Sequence, residues 1–341
     1  MEIPSSLIDK LNRARRIALL FHKSPDGDAV GSALALKTVL EKKGKQVIVI
    51  SPDAIPDYLQ WLPGSRQILR ADTSSEQARQ ALENADLIFM LDHNKFERTG
   101  KFLAAVLEQL IDQKTMVMLD HHLNPDKRIH YIFSDPSKAS TAEIVYEFIQ
   151  KAGLGPLDKD AATQLYTGIL TDTGSFKFDK TTGQTHRIIA DLIEHGAENA
   201  QIHSNIYDVN SFDKIQLLAE ALKRMKIIED CGASYIALDK ETLEKYNYQP
   251  GMTEGIVNYG LSLENIHLTA LITEKPDENK IRLSLRSKGK FNVNDFSAQY
   301  FGGGGHQNAA GGNFYGSLEE AVQAFEKAVK EHCNEIKNAT E

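Results

Sequence analysis

Short apolar runs alternate with longer amphipathic stretches along the first half of the chain. The runs cover residues 17–21, 47–51, 87–91 and 116–119, each about the length of a strand buried on both faces. This pattern predicts a parallel sheet flanked by helices. Between the first two runs, AVGSALALKTVLEKK repeats its apolar residues at helical spacing, with Asp28 placed to cap the helix and Gly44 where a helix commonly stops. Further helices are predicted over 76–84, 102–112, 140–152 and 161–172.

From 185 to 228 the pattern stays helical but turns polar and carries no evident chemistry. It predicts a connector between a first domain over 1–184 and a second over 229–341. The second, smaller α/β domain has strand-like runs at 234–239, 266–274 and 280–288, a glycine-rich turn at 302–305, and a closing helix from 318 to about 336.

Composition narrows the function. A formal net charge of -8 excludes a scaffold for duplex DNA, which needs a broad basic surface, so a nucleic-acid substrate has to be short and locally gripped. Cys231 and Cys333 lie far apart and outside any CxxC spacing, which points to free thiols rather than a disulfide or a thiolate zinc site. No apolar run approaches the roughly 20 residues of a membrane span, and the opening MEIPSSLIDKLNRARR lacks a secretory core. A cytoplasmic enzyme without a membrane partner is expected, and a homodimer stays open.

The chemistry lies at the ends of the predicted strands. The first run is followed by His22, Asp26 and Asp28, the third by Asp92, and the fourth by Asp120, His121 and His122; Asp172 closes a helical run. In an open parallel sheet, functional groups gather beyond the carboxyl ends of the strands. Carboxylates and imidazoles without thiolates suit manganese or magnesium better than a structural zinc cage. The donors exceed what one tetrahedral ion takes up, so two divalent ions sharing a carboxylate is the economical arrangement. Such a pair, about 4 Å apart, clamps the attacking and leaving oxygens of a displacement at phosphorus.

The segments HKSPDGDAVGS, LDH at Asp92, DHH at 120–122 and TDTGSF at Asp172, followed by FGGGGHQNAAGG at 301–312, closely resemble the motifs of the DHH phosphoesterase superfamily and its companion DHHA1 domain. The order of the motifs also matches, over nearly the whole chain. The resemblance implies a parallel-sheet DHH domain with flanking helices, a smaller DHHA1 domain, and an active site in the cleft between them. It implies that His22, Asp26 and Asp92 hold one ion and that Asp28, Asp92, His121 and Asp172 hold the other. Asp120 would orient a ligand or lie near the ions, and His122 would face the substrate phosphate.

For the second domain the resemblance implies substrate binding. Gly303, Gly304 and Gly305 let a bare backbone approach an anion, and His306 adds a donor. Arg286, Ser287 and Lys288 close a strand with a basic cluster, and an arginine fork suits a terminal phosphate. Arg98, where the family often has arginine, is a further candidate contact, with an ion pair to a neighbouring acid as the alternative. Lys177 stands where relatives often show arginine. Tyr300, Phe301 and Phe314 read as packing residues. The implied reaction is hydrolysis of short oligoribonucleotides to mononucleotides and of 3'-phosphoadenosine 5'-phosphate (pAp) to AMP. The alternative is a phosphodiesterase for cyclic or linear dinucleotides such as c-di-AMP, pApA and pGpG.

Overall fold

The structure is a computed structural model that describes residues 1–249, 251–274 and 279–339. The four apolar runs become the interior of one sheet, each strand within a residue of its predicted ends. Its strands are β1 (Arg16–Leu20), β2 (Gln46–Ser51), β3 (Leu69–Arg70), β4 (Leu87–Leu91), β5 (Thr115–Asp120) and β6 (Tyr131–Ser134), all parallel, in the order β3-β2-β1-β4-β5-β6. The strands left out of the prediction are at the edges: β3 has two residues, and β6 is half-exposed and carries no buried run.

Helices cover both faces of this sheet. They are α1 (Ser5–Arg13), α2 (Gly27–Lys42), α3 (Ser75–Asn84), α4 (Gly100–Leu110), α5 (Thr141–Lys151), α6 (Lys159–Asp172), α7 (Gly183–Glu194) and α8 (Asn199–Tyr207). Alternate strand residues serve the two layers. Leu19, Phe89 and Leu119 pack with Leu34, Phe148 and Leu165, whereas Leu20, Ile88 and Met118 pack with Leu82, Leu103 and Leu107. Side chains this thoroughly removed from water each contribute about 1.5–3 kcal/mol. α2 and α6 approach closely because Gly31 and Gly168 are bare: a Cβ on Gly31 would lie 2.4 Å from the Gln164 carbonyl oxygen. The cap of α2 is Asp26 rather than Asp28. Asp26 Oδ1 accepts from the Asp28 and Ala29 amides, while Asp28 is buried inside the first turn.

The chain divides at 209/210, inside the expected connector. α7 and α8 bury Ile188, Leu192 and Ile202 in the first core, and α9 (Phe212–Lys223) buries Leu217 and Ala221 in the second unit. Polar composition concealed these narrow apolar stripes.

The second unit holds a mixed sheet of β7 (Lys226–Ile228), β8 (Ala233–Leu238), β9 (Leu268–Glu274), β10 (Ile281–Ser287), β11 (Gly304–His306) and β12 (Ala309–Phe314), in the order β11-β12-β10-β9-β8-β7. Only β8 and β9 run parallel. Its further helices are α10 (Lys240–Lys245), α11 (Asn258–Leu261), α12 (Val293–Phe301), α13 (Leu318–Glu331) and α14 (Cys333–Lys337). The expected closing helix is thus two helices, broken at His332. The expected glycine turn is a left-handed cap at Gly302 followed by a hairpin strand. Phe301 is buried, with Tyr300 and Phe314 packed against the same core.

The expectation of free thiols is wrong. Cys231 and Cys333 form a disulfide across a sequence separation of 102, tying the chain just before β8 to the start of α14. The fold brings together two residues that no local spacing pairs. Among the described residues no helix is long and apolar enough to cross a membrane.

Candidate metal centre

The order of the first sheet reverses between β1 and β4, and a crevice opens beyond the carboxyl ends at such a point. β1 and β4, which flank it, and β5 beside β4 deliver His22, Asp92 and Asp120 from their ends. Asp92 sits in a left-handed conformation (φ +57°), which turns its carboxylate out of the strand direction.

Three groups of donors form around this point: His22, Asp26 and Asp92; Asp28, His121 and Asp172; and Asp92, His121 and His122, with ligand atoms in each group within 4.8 Å of one another. His22 Nε2 lies 3.2 Å from Asp92 Oδ2 and 3.8 Å from Asp26 Oδ1. His121 Nε2 lies 3.6 Å from Asp92 Oδ1 and 3.3 Å from Asp172 Oδ2. Asp92 and His121 each belong to two groups, so the three groups form one continuous cluster of donors.

The residues fit divalent cations on their own chemistry. His22 Nδ1 donates to the Lys23 carbonyl at 2.9 Å, and His121 Nδ1 faces the Lys138 carbonyl at 3.4 Å, so each ring turns Nε2 toward carboxylates. This is how a metal-ligating histidine is commonly oriented. Burial, with the neighbouring charge of His122, pulls His121 down to about 4, keeping the ring neutral. Burial and then the charges of Asp92, Asp172 and Asp26 push Asp28 well above the usual carboxylate range. Burial, Asp26, Asp172 and Asp120 do the same to Asp92. Asp172 is pushed up to about 7, first by burial and then by Asp26. Carboxylates crowded in a dry site repel one another unless cations lie between them.

Asp120 behaves differently. Burial raises it, but the hydrogen bond from His122 and then the charge of that ring leave it below its ordinary value. Its Oδ1 lies 2.7 Å from His122 Nδ1, and its Oδ2 accepts the His122 amide at 3.1 Å. Asp120 therefore fixes the His122 ring and takes no place in the donor groups.

Thr141 escaped the sequence reading. Its amide donates to Asp28 Oδ2 at 2.6 Å, the Ala142 amide donates to Asp28 Oδ1 at 2.8 Å, and Thr141 Oγ1 donates to Asp92 Oδ1 at 2.9 Å. Two otherwise unpaired amides at the start of α5, with the positive end of its dipole, thus hold one carboxylate while the hydroxyl holds another. Ser140 caps α5, and an S/T pair before a helix signals only a cap in sequence. His93, also missed, donates from Nδ1 to Leu91 and is kept neutral by burial at about 4. Gly168 completes the wall, since a Cβ there would come within 3.1 Å of Asp28 Oδ1. Arg98 lies in a short 3-10 turn after Asp92, where its carbonyl accepts the Lys23 amide at 2.7 Å. Among the described residues it has no ion pair with a neighbouring acid.

In the second unit, register places Arg286 opposite Ala309 and Ala309 opposite His306, so Arg286 and His306 share one sheet face about two strand spacings apart. Ser287 is on the other face, buried, its hydroxyl donating to the Phe291 carbonyl and accepting from Asn308. Gly303 and Gly305 pack closely within the hairpin. A Cβ on Gly303 would fall 1.9 Å from the Gly311 carbonyl oxygen, and the Gly303 and Gly305 amides bond to the Ser297 carbonyl and to Asn294 Oδ1.

The chain belongs to the DHH family: residues 16–169 match the DHH family, N-terminal domain, and residues 232–335 the DHHA1 domain. A DHH-family phosphoesterase is the class that fold and site define. The chain is similar to the bifunctional oligoribonuclease and PAP phosphatase NrnA of Thermus thermophilus, at 28% identity over 92% of this chain and 89% of that protein. It is also similar to the Bacillus subtilis protein of the same name, at 26% identity over 96% and 99%. The crystal structure of an exopolyphosphatase-related protein from Bacteroides fragilis superposes with a TM-score of 0.94 at 36% identity, covering 98% of this chain and 99% of that one.

Proposed function

We propose that this chain is a two-metal phosphoesterase that cleaves short oligoribonucleotides to mononucleotides and converts pAp to AMP. The observation that carries the reading is the pair of donor groups, His22/Asp26/Asp92 and Asp28/His121/Asp172, within reach of one shared carboxylate, Asp92. Similarity to the two NrnA proteins supports the choice of substrates. His22, Asp26 and Asp92 would hold one divalent ion, and Asp28, Asp92, His121 and Asp172 the other; the all-oxygen-and-nitrogen donor set suits manganese, then magnesium. When bound, the ions supply Lewis acidity and an activated water for in-line attack at phosphorus.

The chain's own residues do the rest. Asp120 holds the His122 ring so that it donates to a phosphoryl oxygen, where negative charge grows in the transition state. Thr141 and the start of α5 fix the angles of Asp92 and Asp28. Arg98 contributes a further phosphate contact. Recognition falls to the second unit, where Arg286 and His306 offer donors to a terminal phosphate from one sheet face. Ser287 sets the Phe291 and Asn308 segments around them, and Gly303, Gly304 and Gly305 keep the hairpin close.

The test is a side-by-side rate comparison, with manganese, on a diribonucleotide, a five-nucleotide RNA, pAp, cyclic di-AMP and pyrophosphate. The reading expects the diribonucleotide and pAp among the fastest. Fastest turnover of cyclic di-AMP or pyrophosphate overturns the substrate assignment.

A further inference from the structure

The helix that ends on Asp172 is followed by a short segment, Thr173 to Lys180, whose conformation is not explained by holding Asp172 alone. Gly174, Ser175 and Phe176 are all left-handed, with φ of 56°, 61° and 68°. Successive left-handed residues are rare, because a side chain in that conformation crowds the following carbonyl oxygen. The run separates two aromatic rings. Phe176 turns inward against Tyr166, His186 and His203. Phe178 turns outward and keeps 54% of its surface exposed.

The exposed ring is not loose. A Cβ on Gly174 would lie 2.6 Å from the Phe178 ring, so the ring rests on bare backbone two residues beyond Asp172. The amides of Lys177 and Phe178 both bond to the Thr173 carbonyl, which pins the segment. Single exposed apolar residues are ordinary on protein surfaces. Here the ring has a fitted seat, a strained backbone that aims it outward, and a place on the segment that carries a donor of the metal centre. Leu123, 65% exposed, directly follows His122 on another donor-bearing segment. Exposed apolar surface on a donor-bearing segment suits a ligand with a flat apolar face next to its phosphate. A nucleobase has one; inorganic phosphate and polyphosphate have none.

We propose that Phe178 is a stacking platform for the nucleobase adjoining the scissile phosphate and makes this enzyme prefer nucleotides over base-free phosphate esters. The proposal rests on the phosphoesterase reading above. Stacking of one base on an aromatic side chain corresponds to roughly a tenfold or larger change in affinity.

The experiment compares the wild type, Phe178→Ala and Phe178→Trp on two substrates, the dinucleotide pApA and its analogue lacking the base beside the scissile phosphate, with manganese affinity measured by calorimetry. The expected result for Phe178→Ala is a KM on pApA raised roughly tenfold with kcat within about twofold, no change on the base-free analogue, unchanged manganese affinity, and recovery in Phe178→Trp. An equal loss on both substrates, weakened manganese binding, or no change on either overturns the platform and leaves the function reading standing. A wild type that cleaves neither substrate overturns both.

Discussion

The two units hold their polar groups in opposite ways. In the first, each donor of the metal centre springs from the end of a buried strand or from a packed helix, and Asp28 and Asp92 are held again by the start of α5. In the second, Arg286 and His306 stand on a sheet face whose outer strands are a glycine hairpin, with His306 exposed at its tip. Under the proposed function the contrast is one between chemistry and recognition. Charges that repel one another need a rigid frame to stay together, whereas groups that meet a substrate from the surface tolerate looser support.

The sharpest way to break this comparison is Asp92→Ala, which removes the carboxylate that the proposed function places between the two ions. Phosphate release from pAp with manganese should fall by at least roughly a thousandfold; a loss under tenfold would remove Asp92 from the centre. Next comes Thr141→Val, which keeps the amide and shape but deletes the hydroxyl. Manganese affinity by calorimetry should drop roughly ten- to a hundredfold and recover in Thr141→Ser. Arg286→Lys, in the second unit, keeps the charge but loses the fork. It should raise KM roughly tenfold, leave kcat within about twofold, and spare manganese affinity.

The smallest effect expected is a pH dependence of stability. Asp28, Asp92 and Asp172 titrate above their unfolded values in the metal-free protein. The folded state therefore binds more protons than the unfolded one between roughly pH 4 and 7, and metal-free stability falls as pH rises through that window. A divalent cation seated among these carboxylates would remove the repulsion. The rise in Tm on adding saturating manganese should be slight at pH 5 and on the order of 5 °C at pH 8. A rise that is constant with pH would mean that these carboxylates do not face the ion.

Much of the first unit was legible because its strands are apolar on both faces and its donors follow them at once. Val47, Leu87 and Met116 announce strands, and a Asp or His directly after such a run marks the strand's outer end. The cap of α2 was assigned to the wrong aspartate because Asp26 and Asp28 are equally good capping residues, and only burial tells them apart. Thr141 stayed hidden since its hydroxyl acts across the fold on Asp92, 49 residues away. The disulfide was invisible for the same reason, and β11 and β12 were missed because GGH and AAGGNF lack the β-branched residues that signal a strand.

The strand order has an evolutionary corollary. β2, β3 and β6 lie outside the three strands that carry the donors, and none of them supplies one. The segment leaving the edge strand β3 can lengthen, shorten or change composition without disturbing the ions' seats, whereas the one leaving β6 cannot, because it carries the Lys138 carbonyl that faces His121 and runs into Thr141, which holds Asp28 and Asp92. Lineages sharing this frame are thus free to diversify their substrates at the periphery while the hydrolytic machinery is inherited intact.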